Sequence, residues 1–291
     1  MLFSLFLWAH AWLFSLLPLS GNGGGNAAVE YLPEDSICVE RLLREASLRR
    51  GETPRTLWFG RQLEGRPYVA HTLENGETEH LIVNTRELDC TTFVETVCAL
   101  SLCDARGQRS FADFCHWLRQ LRYREGRIED YTSRLHYFTQ WGEDNQRKGL
   151  VSSVLETVEG QRFAIQTVNI NYMSQHPELY KHLKRQPRLV PVIRRQEQAE
   201  QGKRFRYLPK SRLGESEASL DFIHTGDIVA IITSKTGLDT SHLGFAVWQN
   251  GRLHLMHASS LYHRVVLDQK TFYDYSQGQR TQIGIRVFRL L

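Results

Sequence analysis

Two hydrophobic periodicities divide the chain. Toward the N-terminal end, apolar positions recur every three or four residues, the spacing of helices with one buried face. Pro33-Glu34-Asp35 opens one such segment, which carries Ile37, Leu42, Leu43 and Ala46 and is stopped by Gly51. A second starts near Asp89 with Phe93, Val97 and Leu100 on one side. A third starts at Ser110, has Asp113 in its first turn, and carries a stripe of Phe111, Phe114, Leu118 and Leu121. In the C-terminal third the pattern changes to that of strands. Ile228 to Ile232 is a β-branched run behind Gly226-Asp227, and Ile283 to Phe288 alternates. His242 to Gln249 and Arg252 to Ala258 flank Asn250-Gly251, a two-residue hairpin turn. Helices followed by antiparallel strands predict an α+β fold.

Between these halves, about residues 125–220 are rich in Arg, Gln and Lys and are punctuated by Pro177, Pro187, Pro191 and Pro209. This stretch reads as a mainly helical insertion within a single domain over 28–291, with Asn169 to Met173 as a helix-packing run. Residues 2–17 form an apolar run of signal-peptide length, too short for a comfortable membrane span. Pro18 and a Gly/Asn-rich stretch follow, with small residues at Gly25 and Ala27. A signal peptide over 1–27, export and no stable membrane anchor are expected. Because no Lys or Arg precedes the run, an uncleaved anchor is the alternative.

Composition narrows the picture further. The 36 basic and 32 acidic residues leave a net charge of +4, too weak to imply nucleic acid as the main partner. Apolar residues at 41% and charged residues at 23% fit an ordinary globular chain, expected as a monomer. The basic stretch from Lys181 to Arg206 reads as a solvated face that could also attract anionic ligands. Five cysteines without a C-x-x-C pair argue against a disulfide scaffold or a zinc knuckle, and the odd number predicts at least one free thiol after export.

Cys90 is the one cysteine at a helix start. In a first turn, free backbone N–H groups and the positive end of the helix dipole lower a thiol pKa and can cradle an oxyanion. A thiolate nucleophile needs a base, normally His, and a group that orients it. With Asn250-Gly251 central in a type I′ turn, Gln249 pairs with Arg252, and His242 falls opposite Ser259. His242 and His257 then share a face as diagonal neighbours, roughly 7 Å apart at the backbone. Gly244 lies opposite His257 and leaves room beside it, whereas His254, opposite Val247, lies on the other face with Leu243, Phe245 and Met256. On this evidence alone the two histidines could equally be a metal pair or coincidence.

Arg134, His136, Tyr137 and Trp141 lie within one or two helical turns of one another. A guanidinium at Arg134 suits a peptide carboxylate, and His136, Tyr137 and Trp141 suit the face of a sugar. Asp239 and Ser241 flank His242 and either cap the strand entrance or touch substrate, and Ser259 faces His242 across the hairpin.

The Asp89-Cys90-Thr91-Thr92-Phe93 element at a helix start, the strand Ser241 to Val247, and Leu255 to Ser260 on its partner resemble the NlpC-type papain-like cysteine peptidases. Ser133 to Phe138 with Trp141, the Gly226 to Val229 strand and Gly237 to His242 are similar to their N-acetylmuramoyl-L-alanine amidase-like branch. The resemblance covers most of the chain after about residue 35. It implies Cys90 as nucleophile, His242 as base and His257 as orienting residue, with no metal and no cofactor. The implied reaction is hydrolysis of the amide between N-acetylmuramic acid and L-alanine in peptidoglycan fragments, in the periplasm. A muropeptide endopeptidase acting between D-glutamate and diaminopimelate, or an inactive cell-wall-binding module, is the alternative.

Overall fold

The N-terminal helices pack against one face of a long antiparallel sheet. The computed structural model describes residues 15–17, 29–49, 51–74 and 76–291. The expected signal peptide therefore lies outside the described residues, apart from a short strand, β1 (Ser15–Leu17). The chain continues through β2 (Val29–Tyr31), α1 (Pro33–Leu48), α2 (Arg55–Gln62), β3 (Leu81–Ile82), α3 (Cys90–Ala105), α4 (Phe111–Arg122) and α5 (Phe138–Arg147). The middle holds β4 (Val151–Ser153), α6 (Val154–Thr157), β5 (Ala164–Thr167), α7 (Tyr172–Gln175), α8 (Lys181–Arg185), α9 (Val190–Gln198) and β6 (Arg204–Pro209). The end of the chain forms β7 (Ile228–Thr233), β8 (Thr240–Gln249), β9 (Arg252–Ser259), β10 (Arg264–Leu267), α10 (Phe272–Gln277) and β11 (Gln282–Leu290).

The main sheet runs β10-β9-β8-β7-β11-β6-β5, with β4 also paired to β11, and every pairing in it is antiparallel. The α+β expectation thus matches the architecture. The insertion is mainly helical as expected, with α5 to α9 in it, but it also supplies β4, β5 and β6, which extend the sheet beyond β11. Arg204, Arg206 and Pro209 in β6 hid the alternation from a hydrophobic reading.

Sheet pleating divides the core. On one face Phe245, Val247 and Met256 pack with Phe93, Val97 and Leu100 of α3 and with α1 and α4. The rings of Phe93 and Phe245 meet edge to face at 5.7 Å, which fixes α3 on the sheet. On the other face Val229, Ile231, Ala246, Leu255 and Val287 pack with Phe272 of α10. The insertion has an apolar cluster of its own around Tyr131, Tyr137, Ile170, Met173 and Leu183. It also ties down residues around Leu73, Glu74 and Glu77, where Lys181 donates to the Glu74 carbonyl, Gln186 to that of Glu77, and Arg134 to that of Leu73. No helix among the described residues is long and apolar enough to cross a membrane.

Candidate active site

Asp89 decides where α3 begins. Its carboxylate accepts from the Thr92 backbone N–H at 2.8 Å, while the Thr92 hydroxyl accepts from the Asp89 N–H at 2.9 Å. This reciprocal cap stops the helix from extending backward and leaves Cys90 as its first residue. Cys90 is only partly buried, whereas Cys38, Cys98, Cys103 and Cys115 are buried, and all five thiols are unpaired.

The thiol does not rest as a thiolate, contrary to the expectation from helix position. Burial pushes it up to about 12, and the Asp89 carboxylate adds to the rise. Donors from Leu243 and Thr91 pull the other way without winning. The same carboxylate that sets the helix start thus offsets the helix's positive end. Tyr68, close enough to feel Cys90, has its phenol pushed up to about 12, chiefly by burial.

Cys90 and His242 line one cavity of about 220 Å³. His242 stands in β8 and His257 in β9, and the observed pairs Phe245–Met256 and Gln249–Arg252 follow the predicted register. His242 Nε2 lies 2.6 Å from His257 Nδ1, with the rings edge to face and 4.8 Å between centroids. Gly244 makes this approach possible, since a Cβ there would lie 3.1 Å from the His257 Cβ and 2.6 Å from the Met256 carbonyl oxygen. Burial, and then His257, hold His242 down to about 3, so it rests neutral. The pair is therefore a neutral thiol near a neutral imidazole, suited to proton transfer during attack.

A fourth group stands behind them. His257 is 1% exposed, and its Nε2 lies 3.7 Å from Oδ2 of Asp268, itself 2% exposed. Neither atom has another hydrogen-bond partner among the described residues. Motif reading passed over Asp268 because it follows β10 outside any recognisable pattern. The signal lies in pairing: β10 runs beside β9, Leu267 opposes Met256, and the Asp268 N–H donates to the Leu255 carbonyl at 2.9 Å.

The expected substrate contacts divide. His136, Tyr137, Trp141, Asp239 and Ser241 line the cavity with Cys90 and His242. Arg134 does not. Its guanidinium is buried and bonds both Glu79 oxygens at 3.0 and 2.8 Å, Glu74 at 2.9 Å and the Leu73 carbonyl at 3.0 Å, so most of its donors are already spent within the fold. Ser259 also falls away from the cavity: it is buried, and its Oγ accepts from the Tyr262 N–H at 3.2 Å, closing the turn into β10.

Several lining residues are likewise occupied within the fold. The Asp239 carboxylate accepts from Thr139 N–H at 2.6 Å, capping the start of α5, and from Thr240 N–H at 2.7 Å. Tyr137 donates to Glu197 at 2.7 Å and accepts from the Met173 N–H at 3.0 Å. His136 Nε2 lies 2.7 Å from the Tyr131 carbonyl, and burial followed by Arg134 lowers its pKa to about 3. Trp141 stacks on Phe138 at 5.0 Å, and its indole N–H is buried without a partner among the described residues. Ser241 is exposed at the mouth. Among the described residues, no three His, Cys, Asp or Glu side chains come together as a metal site.

Known proteins share this architecture. The AmiA-like family, described as N-acetylmuramoyl-L-alanine amidase-like, matches residues 58–285. A Bacteroides uniformis protein named N-acetylmuramoyl-L-alanine amidase is 38% identical, the match covering 81% of this chain and 97% of that one, with a TM-score of 0.76. A Bacteroides fragilis protein provisionally named a xylanase is 41% identical over 80% of this chain and all of its own (100%), with a TM-score of 0.75. A Legionella pneumophila protein at 21% identity, covering 89% of this chain and 95% of its own, shares the fold with a TM-score of 0.69. No curated protein matches the chain. The chain belongs to the N-acetylmuramoyl-L-alanine amidase-like family.

Proposed function

From that membership we propose that the chain is a cysteine-dependent N-acetylmuramoyl-L-alanine amidase on an NlpC-type papain-like core. One observation carries the reading: the Cys90 thiol and the His242 ring line the same cavity, and His242 is held from behind by His257 at 2.6 Å. Since Nε2 of His242 is engaged with His257, Nδ1 is the nitrogen left to take the thiol proton. Sγ attacks the lactyl carbonyl carbon of the muramyl residue as its proton passes to His242. The resulting imidazolium protonates the alanine nitrogen as the C–N bond breaks, leaving a thioester. Water, giving a proton to His242, then attacks the thioester and releases the muramic acid carboxyl group and the thiol.

The insertion bears on substrate size. Leu135, His136, Tyr137, Trp141, Met173 and Tyr180 close one side of the cavity, which favours the end of a soluble muropeptide over an intact glycan strand. The reading also has the chain act after export to the periplasm, supported by the apolar run at 2–17 and its small-residue exit.

The test is mass spectrometry of a defined N-acetylmuramoyl-tetrapeptide after incubation with wild-type and Cys90→Ala protein. Free N-acetylmuramic acid plus intact stem peptide, absent with the variant, is the expected result. Undiminished turnover by Cys90→Ala would overturn the thiol mechanism, and cleavage inside the stem would overturn the bond assignment.

A further inference from the structure

We infer that Asp268 is a positioning residue that selects the proton-accepting tautomer of His242 through His257. The inference rests on the proposed thiol chemistry and extends it by one residue. The geometry leaves few options. Asp268 Oδ1 accepts from the Lys270 backbone N–H at 2.9 Å and from the Tyr262 hydroxyl at 3.4 Å, so Oδ2 is the oxygen turned toward His257 Nε2, 3.7 Å away. Both facing atoms are buried and lack other partners among the described residues, so a proton on His257 Nε2 is favoured by the carboxylate oxygen that faces it. His257 Nδ1 then carries a lone pair, and the 2.6 Å contact requires His242 to present Nε2–H to it. This leaves His242 Nδ1 unprotonated, the state a base for Cys90 must have. With the carboxylate gone, the chain of tautomers can run the other way. His257 would carry Nδ1–H, His242 would accept at Nε2, and its proton would sit on Nδ1, where it blocks the thiol.

The titratable groups facing His257 are His242 on β8, Tyr275 on α10, whose ring meets it edge-on at 5.5 Å, and Asp268 itself. Lys270 and Tyr262 face the carboxylate from the far side, each through a neutral or backbone donor. Burial of Asp268 works against ionisation, but the facing His257 ring and the bond from the Lys270 N–H keep its pKa below the usual carboxylate value.

The orientation of Asp268 makes an isosteric change more harmful than truncation. In Asp268→Asn the amide oxygen must stay on the Lys270 N–H, which puts the NH2 group against His257 Nε2 and enforces the blocked tautomer. In a Ser–His–Asp triad the matching amide change costs about 10⁴-fold in kcat. One imidazole further from the nucleophile, we expect Asp268→Asn to lose at least about 10²-fold. Asp268→Ala, which leaves the tautomer free, should lose about tenfold, on the scale of one misplaced orienting group. A purely structural role gives the opposite order, because Asn preserves shape and Ala does not.

Two measurements test this. Turnover of the N-acetylmuramoyl-tetrapeptide by both variants, with thermal unfolding alongside, should rank Asn below Ala, and equal or reversed ranking overturns the inference. Nitrogen-15 NMR of histidine-labelled wild-type protein should show His242 and His257 both protonated at Nε2, with His242 moving to Nδ1–H in Asp268→Asn. A wild-type His242 protonated on Nδ1 overturns the inference even if no variant folds. The tautomers are read in the resting protein, so failure of Cys90→Ala to abolish turnover would count against the thiol mechanism alone.

Discussion

The hairpin that carries His242 and His257 and the insertion that walls the cavity are both rich in polar side chains, yet they use them in opposite ways. In the hairpin and just behind it each group is held by one atom and keeps another open: His242 is gripped at Nε2, and Asp268, which follows β10, is fixed at Oδ1 while Oδ2 faces His257. In the insertion most polar groups are engaged within the fold. Arg134 is closed by Glu74 and Glu79, and Tyr137 by Glu197 and Met173, while Asp239, just before β8, is closed against the insertion by Thr139 and by its neighbour Thr240. A polar group with every bond made supports structure, and one left with an unmade bond is available for chemistry. Proximity to the cavity alone does not separate the two, since Tyr137 and Asp239 line it as Cys90 does.

The contrast breaks most visibly at Cys90. Its replacement by Ala should remove on the order of 10⁶-fold in kcat, as loss of a nucleophile does, while denaturant unfolding changes little. Arg134→Ala should show the reverse. Leaving Glu74 and Glu79 without their buried cation should cost about 3–5 kcal/mol in unfolding free energy. Its kcat/KM, measured well below the melting temperature, should change less than about tenfold, since no uniform binding contact is lost. An Arg134→Ala protein that keeps its stability but loses substrate affinity would return that guanidinium to the binding site.

Acid should expose the next difference. His136 and His242 take up protons near pH 3 in the folded protein but near the usual 6.5 when unfolded. Between those values the unfolded chain binds more protons, so stability must fall as pH drops from about 6.5 toward 3. Melting temperature recorded across that range tests this, and a flat or rising profile on acidification would show that burial does not hold these rings neutral. The smallest effect belongs to Tyr137→Phe. It removes two buried hydrogen bonds, the one to Glu197 and the one from the Met173 N–H, and should cost about 1–3 kcal/mol with kcat nearly unchanged.

Local signals made much of this readable. The Asp89 cap, the Ser110 cap and the Asn250-Gly251 turn act within a few residues, so α3, α4 and the register of β8 with β9 follow from sequence. Tertiary partners were hidden. Nothing near Arg134 announces Glu74 or Glu79, which stand 60 and 55 positions away, and the loop that carries them has no periodicity. The Cys90 pKa was misjudged because the helix start was visible, whereas the burial that outweighs it depends on β8 packing over the thiol. Asp268 escaped for a related reason: its meaning arises only when β10 aligns with β9.

The empty position at Gly244 has a consequence of its own. With a methyl group there, the β8–β9 seam would have to open, because that carbon would sit 2.6 Å from the Met256 carbonyl oxygen. Gly244→Ala would act as a wedge, prising the two imidazoles apart while leaving every ionisable group in place. The proposed reaction would be silenced by adding one carbon and two hydrogens at a position that takes no part in it.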